Sequence, residues 1–189
     1  NFIIKLFNNL KKPHKIPFKL YFKIIKLLNY LKYMRKYDFN FYEKKQNKKF
    51  EKLNLNREKG LKKLILLRKK LNLEEAQMNS EHQVLFSSLS ESKKCNSILE
   101  IGTYDGTNAF ILSQLFPDSK ITTMDLPKND NNFVSFYGRD NIDVLNKFCE
   151  KRDNLISKSK NIIFKELNSI NLTFSEEKYD LIWIDGAHG

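Results

Sequence analysis

Glycines and acids follow two apolar runs of this 189-residue chain, where a parallel sheet would form its ligand-binding edge. In "SILEIGTYDGTNAF", Glu100, Gly102 and Gly106 come at the end of the first run, and Asp125 ends "KITTMD". Glycines at such a position let the backbone turn sharply and approach a ligand without a Cβ in the way. Carboxylates there accept hydrogen bonds from hydroxyl and ammonium groups. The residue types therefore indicate a polar ligand that is bound at strand ends.

The elements that must position these residues alternate between strand and helix from residue 95 onward. This order is typical of βαβ units and predicts an α/β, Rossmann-like, doubly wound and mainly parallel sheet. Ligands bind such a sheet beyond the carboxyl ends of its strands, where the strand order reverses. The predicted strands are 96–102, 120–126, 161–167 and 179–186, and the predicted helices are 80–90, 107–116 and 140–152.

Two classes of ligand use a glycine loop after the first strand. Dinucleotide binders need G-x-G-x-x-G, but Gly102 and Gly106 are spaced G-x-x-x-G, and Tyr104 stands where the second glycine should be. Glu100 would repel phosphates and can serve an ammonium group, while Asp125 can accept hydrogen bonds from ribose hydroxyls. These features favour S-adenosylmethionine, which joins an amino acid to a nucleoside. An NAD-dependent oxidoreductase stays open as an alternative.

The same residues resemble a known family. "LEIGTYDGTNAFILS" resembles motif I of class I S-adenosylmethionine-dependent methyltransferases, in the E-x-G-x-Y-x-G form of catechol-type O-methyltransferases. "YDLIWIDGAHG" resembles the fourth-strand motif of the small-molecule O-methyltransferases grouped as methyltransferase-24-like. The resemblance covers 95–189, about half of the chain. The long segment "PKNDNNFVSFYGRDN" after the second strand departs from the family.

The resemblance implies a role for each matching residue. Residues of motif I would surround the methionine end of S-adenosylmethionine, Asp125 would bind the ribose hydroxyls, and two residues after the third strand would meet the adenine. Asp185 would lie beneath the methyl donor. The residues expected to bind the cofactor are Glu100, Gly102, Tyr104, Gly106, Asn108, Asp125, Asn168, Ser169 and Asp185.

Methyl transfer to a hydroxyl requires removal of a proton, and His188 is the expected base because its ordinary pKa suits that role. Asp185, or a metal ion that lowers the pKa of the hydroxyl, is the alternative. In metal-dependent relatives the acid at this position binds Mg²⁺, so Asp185 is also a candidate Mg²⁺ ligand. His82 and His14 are expected to be incidental, with the alternative that the helix carrying His82 covers the cofactor. The expected acceptor is an oxygen of a small molecule or sugar, and a non-catalytic scaffolding or membrane-associated protein of the same fold is the rival hypothesis.

The basic charge of the chain is confined to its N-terminal part. Residues 1–70 hold 22 Lys and Arg against 4 Asp and Glu, and the remainder holds 12 against 18. We expect a basic, mostly helical segment at 1–73, with a solvated stretch at 42–60, and a cofactor-binding domain at 74–189. A basic amphipathic helix at 17–39 is expected to pack on a partner helix, to form a solvated arm or to contact an anionic membrane. Nucleic-acid binding is disfavoured because no recognisable motif accompanies the lysines.

Two features bear on where the protein works and on its extent. The two cysteines, Cys95 and Cys149, have no metal-type spacing and are too few for a disulfide framework, which favours a reducing cytoplasm. The basic helix at 17–39 adds the inner face of the membrane as a second expected location. No apolar stretch of bilayer length is free of lysine. A fourth strand that ends at "DGAHG" leaves a buried-looking edge, so further strands are expected after Gly189. The sequence leaves the oligomeric state open.

Overall fold

The computed structural model describes residues 24–28, 39–73, 81–139, 141–171 and 178–185. Its contacts divide the chain into two compact units, Asn1–Lys49 and Phe50–Gly189. In the first unit, residues 24–28 are helical, and the rest of the predicted helix at 17–39, apart from residue 39, lies outside the described residues. None of the described helices is both long enough and apolar enough to cross a membrane.

From residue 95 onward, helices and strands of the second unit alternate as the sequence predicts. Helix α1 spans Phe39–Glu51 and reaches into this unit at Phe50. A short helical turn at Asn131–Phe133 continues into a π-helical turn at Val134–Gly138, and a 3₁₀ turn occupies Ser169–Asn171. The remaining elements are α2 Arg57–Lys70, α3 Glu81–Ser92, β1 Ser97–Ile101, α4 Thr107–Leu115, β2 Lys120–Asp125, α5 Ile142–Ile156, β3 Ile162–Glu166 and β4 Leu181–Ile184.

The four strands form one parallel sheet in the order β3-β2-β1-β4. The predicted Rossmann-like α/β fold is therefore confirmed by the sheet itself. Because β2 and β4 flank β1 on opposite sides, the strand order reverses at β1. The register places Phe164, Thr123, Glu100 and Trp183 in one row across the sheet.

The start of β4 is bound to the start of β1 by side-chain hydrogen bonds. Asp180 Oδ2 accepts hydrogen bonds from the backbone N–H groups of Asn96, at 2.6 Å, and Ser97, at 3.1 Å. Ser97 Oγ donates to the Lys178 carbonyl at 2.8 Å. These contacts lie at the amino ends of the strands, opposite the edge where the acids gather.

Helix α2 packs against α3 and contributes to the core. Leu64 of α2 is fully buried with Val84 and Phe86 of α3. Gly60 allows the close approach, because a Cβ there would lie 2.9 Å from the backbone N of Ser88 and the carbonyl O of Val84. The expected solvated stretch at 42–60 thus contains buried positions, including Leu55. The domain boundary expected after residue 73 stays a prediction, and the compact unit begins at Phe50.

Candidate functional site

The β1–α4 loop uses backbone conformations that favour glycine. Gly102 has φ +99° and Gly106 has φ +77°, while Tyr104 adopts a left-handed φ of +50°. Gly106 stands before the first residue of α4, and a Cβ there would lie 3.1 Å from Ile156 Cγ1. The loop can therefore run close to α5 and present the start of α4 at the carboxyl edge of the sheet. This is the place where the sequence predicts close approach of a ligand.

Glu100 is the buried centre of a polar network below this loop. Its side chain is 1% exposed, and Oε1 accepts a hydrogen bond of 2.7 Å from Asn108 Nδ2. Oε2 accepts a 2.5 Å hydrogen bond from Thr123 Oγ1, which lies 2.7 Å from Thr103 Oγ1. Burial, with a smaller effect of the Asp185 charge, raises the pKa of Glu100 to about 7, against the hydrogen bonds from Thr123 and Asn108 that lower it. A cation placed beside this carboxyl group would therefore favour its ionised form.

Asp125 ends β2 and binds the glycine loop from the other side. Its Oδ2 accepts a hydrogen bond from the backbone N–H of Tyr104, and its Oδ1 accepts one from the N–H of Leu126, both at 2.9 Å. Burial raises the pKa of Asp125, while these backbone donors and the Arg152 charge lower it. A carboxylate has about four lone-pair sites, so Asp125 keeps capacity for hydroxyl groups of a ligand.

A cleft of about 480 Å³ opens beside Asp125. Asn168 and Ser169, the two residues predicted to meet the adenine, line it together with apolar side chains from both of its walls. A volume of this order is typical of small-molecule sites. The lining is Ile101, Gly102, Met124, Asp125, Leu126, Asn132, Phe133, Phe136, Tyr137, Leu167, Asn168, Ser169 and Ile170.

One wall of the cleft comes from the segment that departs from the family. Phe133 is fully buried, Phe136 is exposed, and Tyr137 stacks on Phe148 of α5 with ring centroids 4.6 Å apart. Tyr104 approaches Tyr137 with centroids 5.7 Å apart, so the aromatic cluster also touches the glycine loop. Burial, with the Asp125 charge, raises the pKa of Tyr137 to about 12. The sequence showed the aromatic residues of this segment but not their position.

Arg152 is a further buried residue that sequence reasoning missed. Its side chain is 1% exposed, and the guanidinium carbon lies 4.2 Å from the Phe164 ring centroid and 5.8 Å from that of Phe133. Its Nε donates to Asp153 at 2.8 Å, and Nη2 lies 3.7 Å from Glu166. Within the described ranges, Nη1 has no hydrogen-bond partner. The Arg152 charge lowers the pKa of Asp125, against the larger effect of burial, which raises it.

Asp185 is exposed directly after β4, and its backbone N–H donates to the Ile101 carbonyl at 2.8 Å. The fourth strand therefore delivers it to the same edge as Glu100. His188, the predicted base, lies outside the described residues. In the part of the chain that the structure describes, no group of three or more His, Cys, Asp or Glu side chains could hold a metal ion. Mg²⁺ at Asp185 stays a prediction.

His82 of α3, which was expected to be incidental, lies at this edge beside Asn108 and Asp185. Its ring stacks on Trp183, with centroids 4.9 Å apart and planes inclined by 24°. Burial lowers the pKa of His82, while the Asp185 charge and the Asn108 side chain raise it. Trp183 is half-buried and packs against the core through Phe86. Phe86 lies four residues after His82, so the two side chains share one face of α3 and both contact Trp183.

The structure brings most of the predicted cofactor-binding residues together at one edge. Residues of β1, its loop and α4 meet the end of β2 there, Asn168 and Ser169 line the adjacent cleft, and Asp185 ends the neighbouring strand. Their roles in binding stay predictions. Thr123 was missed, although alternation along β2 puts it on the same face as Asp125.

Comparisons with known proteins returned solved structures only. No family model and no curated protein matches the chain. One similar structure is the O-methyltransferase TomG of Streptomyces achromogenes, involved in tomaymycin synthesis and crystallised with S-adenosylmethionine: 15% identity, TM-score 0.41, 75% of this chain and 59% of that one. Another is a candidate O-methyltransferase of Klebsiella pneumoniae: 18% identity, TM-score 0.34, 67% of this chain and 52% of that one. The chain thus spans somewhat more than half the length of these structures.

Proposed function

We propose that this chain binds S-adenosylmethionine at the carboxyl edge of its sheet and takes part in methyl transfer to an oxygen of a small molecule or sugar. The proposal rests on the family resemblance of 95–189 and on the chemistry of the edge. It assigns the cationic amino-acid end to Glu100 and the ribose to Asp125. The adenine would enter the cleft lined by Asn168 and Ser169.

The charge at the edge is the observation that carries the proposal. Burial raises the pKa values of Glu100 and Asp125, and Asp185 and Asp125 both raise the pKa of Glu100 further. Bringing a cation to such a group relieves the repulsion and restores the ionised form. A diphosphate would add negative charge to the same edge. The acids therefore favour a sulfonium ligand with an ammonium group over NAD.

Asn108 gives a second reason to expect an ammonium group. Its Nδ2 donates to Glu100, and its Oδ1 is buried without a hydrogen bond of normal geometry from any residue that the structure describes. A buried acceptor without a donor is costly. Oδ1 has two lone pairs, so a ligand ammonium group between Glu100 and Asn108 would supply one donor and leave the second lone pair to a donor of the chain.

When bound, S-adenosylmethionine supplies an electrophilic methyl group. The residues of the chain bind and orient it: the glycine loop approaches by bare backbone, and Glu100 and Asp125 hold the two ends. Proximity and orientation account for a large part of the catalysis of displacement reactions. His188 is proposed to remove the proton of the acceptor hydroxyl, with Asp185 as the alternative base.

Calorimetry with S-adenosylhomocysteine and with NAD tests the proposal. We expect S-adenosylhomocysteine to bind and NAD to give no heat at the same concentrations. Glu100→Gln serves as the matched variant and should weaken S-adenosylhomocysteine, because the amide carries no charge for the ammonium group. Binding of NAD but not of S-adenosylhomocysteine would replace the proposed ligand by a dinucleotide.

A further inference from the structure

His82 is held in one orientation by two aromatic side chains. The ring stacks on Trp183 at 4.9 Å between centroids and meets Phe86 at 5.7 Å with an interplanar angle of 60°. Phe86 in turn packs edge-on against Trp183 at 5.3 Å. The stacked contact with Trp183 and the tilted contact with Phe86 leave the half-buried imidazole little freedom to turn.

The residues around this imidazole belong to the site already described. Trp183 is the register partner of Glu100 across the β1–β4 pair. The Asn108 side chain and the Asp185 carboxylate both interact with the His82 ring. His82 thus faces α4 and the end of β4, next to the Glu100–Asn108 hydrogen bond.

The amide of Asn108 can serve Glu100 in only one of its two orientations. Its Nδ2 must face the carboxylate to donate, which turns Oδ1 away toward other neighbours. An imidazole N–H on that side is a suitable donor for Oδ1 and would oppose a flip of the amide. A flip would set two oxygens, Asn108 Oδ1 and Glu100 Oε1, against each other.

We propose that His82 is a positioning residue of the site: clamped on Trp183, it fixes the Asn108 amide and thereby holds Glu100 ready for the ammonium group of the bound ligand. This inference rests on the proposed function for the identity of the ligand. It adds a residue from α3, which lies outside the segment that resembles the family. His82 acts through Asn108, so it should affect recognition of the amino-acid end and not of the nucleoside.

Two ligands distinguish recognition of the amino-acid end from recognition of the nucleoside. S-adenosylhomocysteine carries the amino acid, and 5′-methylthioadenosine carries the same nucleoside and thioether without it. In His82→Leu we expect the affinity for S-adenosylhomocysteine to fall by about tenfold, as for the loss of one hydrogen bond to a charged group, here the bond from Asn108 to Glu100. The affinity for 5′-methylthioadenosine should be unchanged. His82→Gln keeps an N–H donor and should recover most of the affinity. Ser92→Ala, at an exposed position of the same helix, is the control, and the ratio of the two affinities should stay as in the wild type.

The chain contains one tryptophan, so Trp183 emission reports on the stack directly. In the wild type, saturation with S-adenosylhomocysteine should change this emission, and saturation with 5′-methylthioadenosine should not. This measurement needs no variant and decides the matter if His82→Leu does not fold.

Two different failures can be told apart. If S-adenosylhomocysteine binds the wild type and its preference over 5′-methylthioadenosine is the same in His82→Leu, the positioning role is wrong while the proposed function stands. The positioning role is also wrong if Trp183 emission responds equally to both ligands. If neither ligand binds the wild type, the proposed function fails and the role of His82 fails with it.

Discussion

The backbone N–H of Tyr104 donates a 2.9 Å hydrogen bond to Oδ2 of Asp125, so the last residue of β2 holds the middle of the loop that follows β1. Tyr104 has a left-handed φ of +50°, which costs a non-glycine residue free energy. The carboxylate offsets part of that cost. Asp125 therefore shapes the loop as well as facing the cleft.

Asp125→Asn should lower the affinity for S-adenosylhomocysteine by tenfold or more. An amide cannot accept from both Tyr104 and Leu126, because its NH₂ group would face one of the two N–H donors, and each lost hydrogen bond costs about 1 kcal/mol. Calorimetry measures the affinity. Asp118→Asn is the control, since Asp118 is exposed before β2, at the opposite edge of the sheet. Equal affinities in the two variants would contradict a role for Asp125 in binding.

Glu100→Gln should change the pH dependence of folding. The pKa of Glu100 is about 7 in the folded chain, against an ordinary value of 4.5, so folding favours the protonated form. The stabilisation is complete below pH 4.5 and is lost as the pH rises through 7, with a span of about 3 kcal/mol. Because glutamine does not ionise, the variant should gain in unfolding free energy relative to the wild type between pH 5 and pH 8, as measured by urea denaturation.

Glu91→Gln provides a control of opposite sign. A hydrogen bond from Lys63 lowers the pKa of the exposed Glu91, so its ionised form favours folding at pH values above its ordinary pKa of 4.5. Removing that charge should not improve the relative stability at pH 8. An equal response of both variants would mean that burial of Glu100 is not the cause.

Arg152→Met should destabilise the protein less than Arg152→Lys. Lysine loses the planar stacking on Phe164 and buries a compact ammonium group, at a cost of about 1–3 kcal/mol. Methionine fills similar space without a buried donor, and the partners Asp153 and Glu166 are exposed enough to be hydrated. Thermal and urea unfolding of both variants give the order. A larger loss for Arg152→Met would show that the charge itself holds the fold together.

Gly60→Ala should destabilise the protein by about 2 kcal/mol. Alanine is the better helix former by about 1 kcal/mol, but the added Cβ would meet the backbone of Ser88 and Val84 at 2.9 Å. Lys62→Ala on the exposed side of α2 is the control and should be nearly neutral. Because Gly60 precedes the domain boundary expected after residue 73, urea unfolding of this variant also tests whether α2 belongs to the folded unit. An unchanged or higher stability of Gly60→Ala would mean that α2 is not part of the folded unit.

The sequence predicted the sheet well because its signals are local. Apolar runs bounded by glycine, proline and asparagine marked all four strands within two residues at most ends, and their alternation with helices fixed the parallel sheet. The glycine loop was equally readable, since Gly102 and Gly106 need positive φ values that few other residues adopt.

Long-range contacts could not be predicted in the same way. His82 reaches Trp183, and Arg152 lies between Phe133 and Phe164, only after helices have packed on the sheet. Similarly, α2 contains so many lysines that its buried side was hidden, and Gly60 was the one local sign of close packing. In both cases the property depends on a partner that is distant in sequence.

Asp180 sets the register of β4 from the amino edge of the sheet, opposite the edge that carries the proposed ligand site. Its two hydrogen bonds to Asn96 and Ser97 fix which residue of β4 stands opposite Glu100. A slip of one position would turn the Trp183 indole to the opposite face of the sheet and separate it from the His82 imidazole. Damage at this remote anchor would therefore act as misalignment: the chain would keep every residue of its site and still fail to assemble it.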